Sequence, residues 1–203
     1  MTGAQIERER AKTRRSKKNS LTDEEHNEFE EILSTLSVSR KVILNGMGFA
    51  LDFADMSTEI VDMLKKSLLS ISTPAPLKIA RLYLLSDILH NSGADVKSAN
   101  TYRLQIQSHL PEIFSHLNKA YRCITGRMTA RQVEERVLTL LDVWSRWSIL
   151  SPVHLWGLEA VFRMSDSDWL SMSLPLEDGQ VAPPEEELEW ERLQRRARIA
   201  GVS

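Results

Sequence analysis

From Thr22 onward the apolar residues recur with the period of a helix. Phe29, Ile32, Leu33 and Leu36 form one stripe. Val42, Ile43, Met47, Ala50, Leu51 and Ala54 form a second, and Ile60, Val61, Leu64, Leu68 and Ile71 a third. These stripes predict helices over about 22–36, 39–54 and 57–71. Thr22-Asp23-Glu24-Glu25 has the form of a capping box, with Thr22 as N-cap and Glu25 at the third helical position. Pro74-Ala75-Pro76 breaks the chain and starts a fourth helix, 76–92, which Gly93 closes. Asn100 is placed to cap a fifth helix to about 109, and Pro111 suits the first turn of a sixth over 110–123. Thr129 opens a seventh to about 148, and Pro152 precedes an eighth from Val153 to Met164. No window alternates with period two for long enough to make a strand, so the expected fold class is all-α, eight helices joined by short turns over residues 21–165.

The fourth helix differs from the rest. Leu77, Ile79, Ala80, Leu82, Leu84, Leu85, Ile88 and Leu89 cover most of its circumference, which predicts a central helix with neighbours on several sides. The remaining positions, Tyr83, Ser86, Asp87, His90 and Asn91, fall in one stripe at helical spacing. A phenol, a carboxylate and a carboxamide on a wrapped helix must meet water, one another or a ligand. Trp144 and Trp147, three apart on the seventh helix, share a face and read as core or inter-helix packing.

Composition adds a polarity along the chain. The 203 residues carry a formal charge of −2, yet residues 1–20 hold seven Lys/Arg against two Glu, and residues 165–203 hold four Arg against nine Asp/Glu. Residues 1–20 therefore read as a disordered basic arm. Residues 166–184, rich in Ser, Asp, Gly and Pro, read as a linker. Residues 185–200, acidic first and basic last, read as a short charged helix suited to the helix dipole. One cysteine, Cys123, offers no internal disulfide and, with five scattered histidines, no metal set. No apolar run approaches the ~18 residues of a membrane span, and no apolar stretch follows Met1 as a secretory signal would. The expected location is intracellular, without membrane attachment.

Catalytic chemistry is poorly supplied. Ser86, Asp87 and His90 lie on one helix and point outward rather than at one another. The glycines form no nucleophile elbow, and phosphate-binding, dinucleotide and His-Glu-x-x-His motifs are absent. The reading is a non-enzyme with no cofactor and no metal.

The run Lys78-Ile79-Ala80-Arg81-Leu82-Tyr83-Leu84-Leu85-Ser86-Asp87-Ile88-Leu89-His90-Asn91-Ser92 resembles the fourth helix of the RNA polymerase II CTD-interaction domain, the CID. Phe114-Ser115-His116-Leu117-Asn118 with Tyr121-Arg122, and Glu135-Arg136-Val137-Leu138 through Trp144 to Trp147, look most like the version in the SURP-motif splicing factor associated with the U2 snRNP and its plant relatives. The resemblance implies an eight-helix right-handed superhelix, shared with VHS and ENTH domains. It also implies a groove for the Tyr-Ser-Pro-Thr-Ser-Pro-Ser tail of the polymerase, often phosphorylated on serine. By similarity Asp87 accepts from the peptide tyrosine, Asn91 holds peptide backbone and Tyr83 shapes the wall. Ser86, Arg131, Arg136 and Val143 complete the implied peptide-binding set. Family members that read phosphoserine usually carry an arginine five positions before the seventh-helix tryptophan, and Thr139 stands there instead.

The resemblance further implies a nuclear protein, with the polymerase tail and U2 snRNP or other spliceosomal proteins as partners. Full-length relatives place RNA-recognition and SURP modules before this domain, so the chain is a fragment or a reduced version. In the arm, Arg8, Arg10, Lys12, Arg14, Arg15, Lys17 and Lys18 lack interleaved aromatics, which predicts weak, phosphate-driven RNA contact without sequence preference. Two rivals differ in class. One is a helical scaffold for another spliceosomal protein, which gains if Asp87 is bonded only within the domain. The other is a membrane-trafficking adaptor, which the arm disfavours because only Met1 and Ile6 could insert into a lipid surface.

Overall fold

Each predicted stripe between Phe29 and Phe162 lies on a helix, and the few departures have local causes. A computed structural model describes residues 20–93 and 98–165. Among them are seven α-helices: α1 Asp23–Thr35, α2 Arg40–Asp52, α3 Ser57–Leu69, α4 Ala75–Asn91, α5 Thr101–Arg122, α6 Arg127–Arg146 and α7 Pro152–Arg163. A 3₁₀ turn, Ala54–Met56, links α2 to α3. The all-α class holds, with seven helices in place of eight. The predicted fifth and sixth are one helix, because Tyr102, Ile106, Leu110, Ile113, Phe114 and Leu117 continue a single buried stripe through Pro111. A proline there removes one backbone hydrogen bond, and an unbroken apolar face outweighs it. The arm residues Arg8 to Lys18, the 166–184 linker and the 185–200 helix lie outside the described residues.

The chain divides into two compact units at Ser108. In the first, the capping box opens α1 as predicted: the Thr22 N–H donates to Glu25 Oε2 at 2.9 Å, and the Glu25 N–H donates to Thr22 Oγ1 at 3.3 Å. The Leu21 N–H donates to Glu59 Oε2 of α3 at 2.8 Å, which fixes where the chain enters. Phe29, Phe49 and Phe53 stack in sequence, with ring centroids 5.1 and 4.4 Å apart. A Cβ built on Gly46 would meet Leu84 at 3.1 Å and Ile32 at 3.2 Å, so only a glycine lets α2 lie this close to α4 without its neighbours shifting. Ile71, assigned by its spacing to the third stripe, is wholly exposed because α3 stops at Leu69.

Helix α4 is wrapped as its composition predicts: Ile79, Ala80, Leu82, Leu84, Leu85, Ile88 and Leu89 are all buried. Two cations are buried with them. Lys78 donates from Nζ to the carbonyls of Leu68 and, at 2.8 Å, Ser70. Arg81 donates from Nε to Leu33 O at 3.1 Å, and from Nη1 to Ser67 O at 2.6 Å and Thr73 Oγ1 at 2.9 Å. These carbonyls end α1 and α3, where a helix leaves its last C=O groups unmet and its dipole is negative. The two side chains thus act as C-caps supplied from a third helix. Burial holds both below their ordinary pKa values, and the neighbouring Arg81 adds to the effect on Lys78.

In the second unit Trp144 is fully buried and tilts against Phe114 at 6.2 Å, while Tyr121 packs on Phe162 at 5.3 Å. Asn118 Nδ2 donates to the carbonyls of Phe162 and Met164, and Arg122 Nη1 also donates to Met164 O, so α5 ties down the end of α7. Trp147 does not join the core. Helix α6 ends at Arg146, and Trp147 sits in the capping position, 47% exposed.

Candidate functional site

On α4 the polar stripe faces away from Arg81. Tyr83, Asp87 and Asn91, spaced i, i+4, i+8, are half-buried, His90 is exposed and Ser86 is only 3% exposed. Asn91 Nδ2 donates to Asp87 O at 2.8 Å and to Met47 Sδ at 3.0 Å. Both bonds use the nitrogen, so the side-chain oxygen is turned to accept. The Asp87 carboxylate and the Tyr83 hydroxyl make no hydrogen bond among the described residues. Burial pushes the Asp87 carboxyl above the ordinary aspartate range, while His90 and Arg40 pull the other way. A half-buried carboxylate that lacks a donor is an acceptor held in readiness.

Arg40 and Met47 were missed by the sequence reading. They stand seven residues apart on α2, two turns along one face, and the close approach at Gly46 brings that helix to the stripe. The signal in the sequence was the glycine within the apolar run, opposite a leucine-rich helix.

The other predicted residues lie on α6. Arg136 and Val143 share a side of it with Thr139, flanking the buried row of Val137, Leu140 and Trp144. Arg136 and Thr139 are exposed and Val143 is half-buried. Arg131, also exposed, lies more than ~100° round the helix from that side, so α6 does not gather the two arginines. Tyr121 donates to Glu134 Oε2 at 3.2 Å on another side of the helix.

A separate recess in the first unit, about 710 Å³, is open to solvent and is lined by Glu30, Glu31, Met63, Lys66 and Arg81 among others. The Arg81 groups with bonds there serve the helix ends. Among the described residues no group of three or more His, Cys, Asp or Glu side chains could hold a metal ion, and no helix is long and apolar enough to cross a membrane.

An all-α chain with one donor-hungry strip on a wrapped helix is the architecture of a helical recognition domain. Its fold matches the crystal structure of the yeast Nrd1 CID in complex with Sen1 NIM1, with a TM-score of 0.52 over 68% of this chain and 97% of that one, at 16% identity. The family model for the CID domain matches residues 27–156, and the chain belongs to that family. CID domains are non-catalytic and bind peptides. In Arabidopsis thaliana, Protein RRC1 is 46% identical over 155 residues and Protein RRC1-like 44% identical over 145. These matches cover 76% and 71% of this chain but only 16% and 15% of those proteins, so the chain spans about a sixth of their length.

Proposed function

We propose that the chain binds the heptad-repeat tail of RNA polymerase II, Tyr-Ser-Pro-Thr-Ser-Pro-Ser, on the Tyr83–Asp87–Asn91 face of α4. In this reading it belongs to a nuclear protein that couples splicing to transcription. The observation that carries the proposal is the Asp87 carboxylate, half-buried and without a hydrogen bond among the described residues. A tyrosine hydroxyl would satisfy it, and Asn91 would accept a peptide N–H. A charge-assisted bond of this kind contributes ~1.5–3 kcal/mol, roughly ten- to a hundredfold in affinity. A pure scaffold would have bonded Asp87 internally, which favours the peptide reading over that rival.

The arm adds a second, weaker contact, with RNA phosphates. If all seven arm cations meet phosphates on a single strand, log K falls against log salt with a slope near −5, about −0.7 for each. Fluorescent heptad peptides, unphosphorylated or phosphorylated on the first or middle serine, titrated against the full chain test the main reading. Saturable binding to at least one, weakened by Asp87→Ala, is expected. No binding to any of them at millimolar protein overturns the proposal.

A further inference from the structure

The recess lined by α1, α3 and Arg81 of α4 is not used by the peptide reading. It holds about 710 Å³, within the roughly 300–1,000 Å³ of ligand sites. A guanidinium carries N–H donors on all three of its nitrogens. The Arg81 bonds to Leu33 O, Ser67 O and Thr73 Oγ1 come from Nε and Nη1, so Nη2 makes no hydrogen bond among the described residues. Arg81 as a whole is only 7% exposed. Its Nη2 is nevertheless open to solvent, since Gln105 Oε1 and Asn118 Oδ1 are the enclosed side-chain atoms that lack a partner among the described residues. A deeply held cation thus offers its remaining donors to the recess that it lines.

The charges around this donor are sorted by helix. Glu30 and Glu31 line the recess from α1, and Lys66 lines it from α3, next to the Ser67 carbonyl that Arg81 holds. The side chains of Glu31 and Lys66 make no hydrogen bond or ion pair among the described residues, and Glu30 has His26 at 3.9 Å. Buried Leu33 and Met63 add apolar lining.

We propose that the recess binds a peptide segment of alternating acidic and basic residues, carried by a partner protein. Successive side chains of an extended chain point to opposite sides. The carboxylates of such a segment face Arg81 and Lys66 while its cations face Glu30 and Glu31. The α1 side of the recess runs from His26 to Ser34, about 12 Å along the helix axis, which is the length of about four extended residues. Two acidic and two basic side chains then meet two cations and two carboxylates. A phosphate group or a nucleic-acid backbone brings negative charge alone and is repelled by the α1 side, so charge complementarity selects the alternating peptide. Because the Asp87 stripe faces away from Arg81, the chain has two recognition faces that can be filled together.

The test uses the full 203-residue chain and the labelled peptide Glu-Arg-Glu-Arg-Glu-Arg, with Glu-Glu-Glu-Arg-Arg-Arg and inorganic phosphate as comparisons. Saturable binding of the alternating peptide is expected, about tenfold tighter than the block peptide. In NMR spectra it should shift the amides of Glu31, Lys66 and Ser67 and the side-chain N–H groups of Arg81. Lys66→Glu and Glu31→Lys change exposed side chains, and each should weaken binding about tenfold at unchanged helicity. Neither should alter a heptad titration, so this site and the Asp87 face stand or fall separately. No binding at millimolar peptide, equal binding of the two peptides, or shifts confined to residues outside the recess overturns the proposal. So do the same shifts with inorganic phosphate, which would make the recess a simple anion site.

Discussion

The two halves of α4 both break the rule that a wrapped helix is apolar, and they break it differently. In the N-terminal half Lys78 and Arg81 are almost fully buried, and their bonds run to carbonyls and one hydroxyl of the same unit. In the C-terminal half Tyr83, Asp87 and Asn91 are only half-buried, and Asp87 is without a hydrogen bond among the described residues. A polar group whose partners belong to the fold is part of the fold. An acceptor fixed at the surface without a donor is positioned for something that arrives.

The largest effect that separates the halves is on stability. Arg81→Ala leaves the carbonyls of Leu33 and Ser67 and the Thr73 hydroxyl without their donor, and should lower stability by ~3 kcal/mol. Urea denaturation measures it, and a loss below ~1 kcal/mol, the size of an ordinary exposed bond, would break the comparison. Asp87→Ala should do the reverse, weakening peptide binding about tenfold or more while the denaturation midpoint stays in place.

The sign of the pH effect sharpens this contrast. Burial raises the folded pKa of Asp87 above the ordinary 3.8. The stability linked to its protonated form is full below 3.8 and is lost as pH rises through the folded value. Asp87→Asn should therefore match or exceed the parent in stability at neutral pH. Peptide affinity should instead fall on acidification through that same value, a dependence that Asp87→Asn abolishes, as fluorescence titrations across pH can show.

Asn91→Ala removes a backbone acceptor and should cost roughly fivefold in affinity, about 1 kcal/mol. The smallest change is a control. Thr22→Ala opens the capping box, should lower stability by about 1 kcal/mol, and should leave peptide affinity unaltered.

Periodicity located the helices because each buries one stripe, and α4 stood out because its apolar residues go all the way round. The capping box was legible for the same local reason: its two bonds join residues three apart. The roles of Lys78 and Arg81 were not, since the carbonyls they meet belong to helix ends as far as 48 residues away, and every residue has a carbonyl. Pro111 misled because a local breaker was weighed without the stripe that runs through it. Trp147 stays out of the core because α6 ends one residue before it. Of the site, the α4 stripe was readable from spacing on one helix. Arg40 and Met47 required knowing which helix packs against it.

The span of the Arg81 bonds also bears on the order in which the chain assembles. Arg81 reaches Thr73 across 8 residues and Ser67 across 14, but Leu33 across 48. Closing a short loop costs less entropy than closing a long one, so α3 and α4 should pair early and α1 should dock against Arg81 late. A contact made after the folding barrier acts chiefly on the escape rate. In a chevron experiment Arg81→Ala, which removes two early bonds and one late one, should therefore both slow refolding and accelerate unfolding.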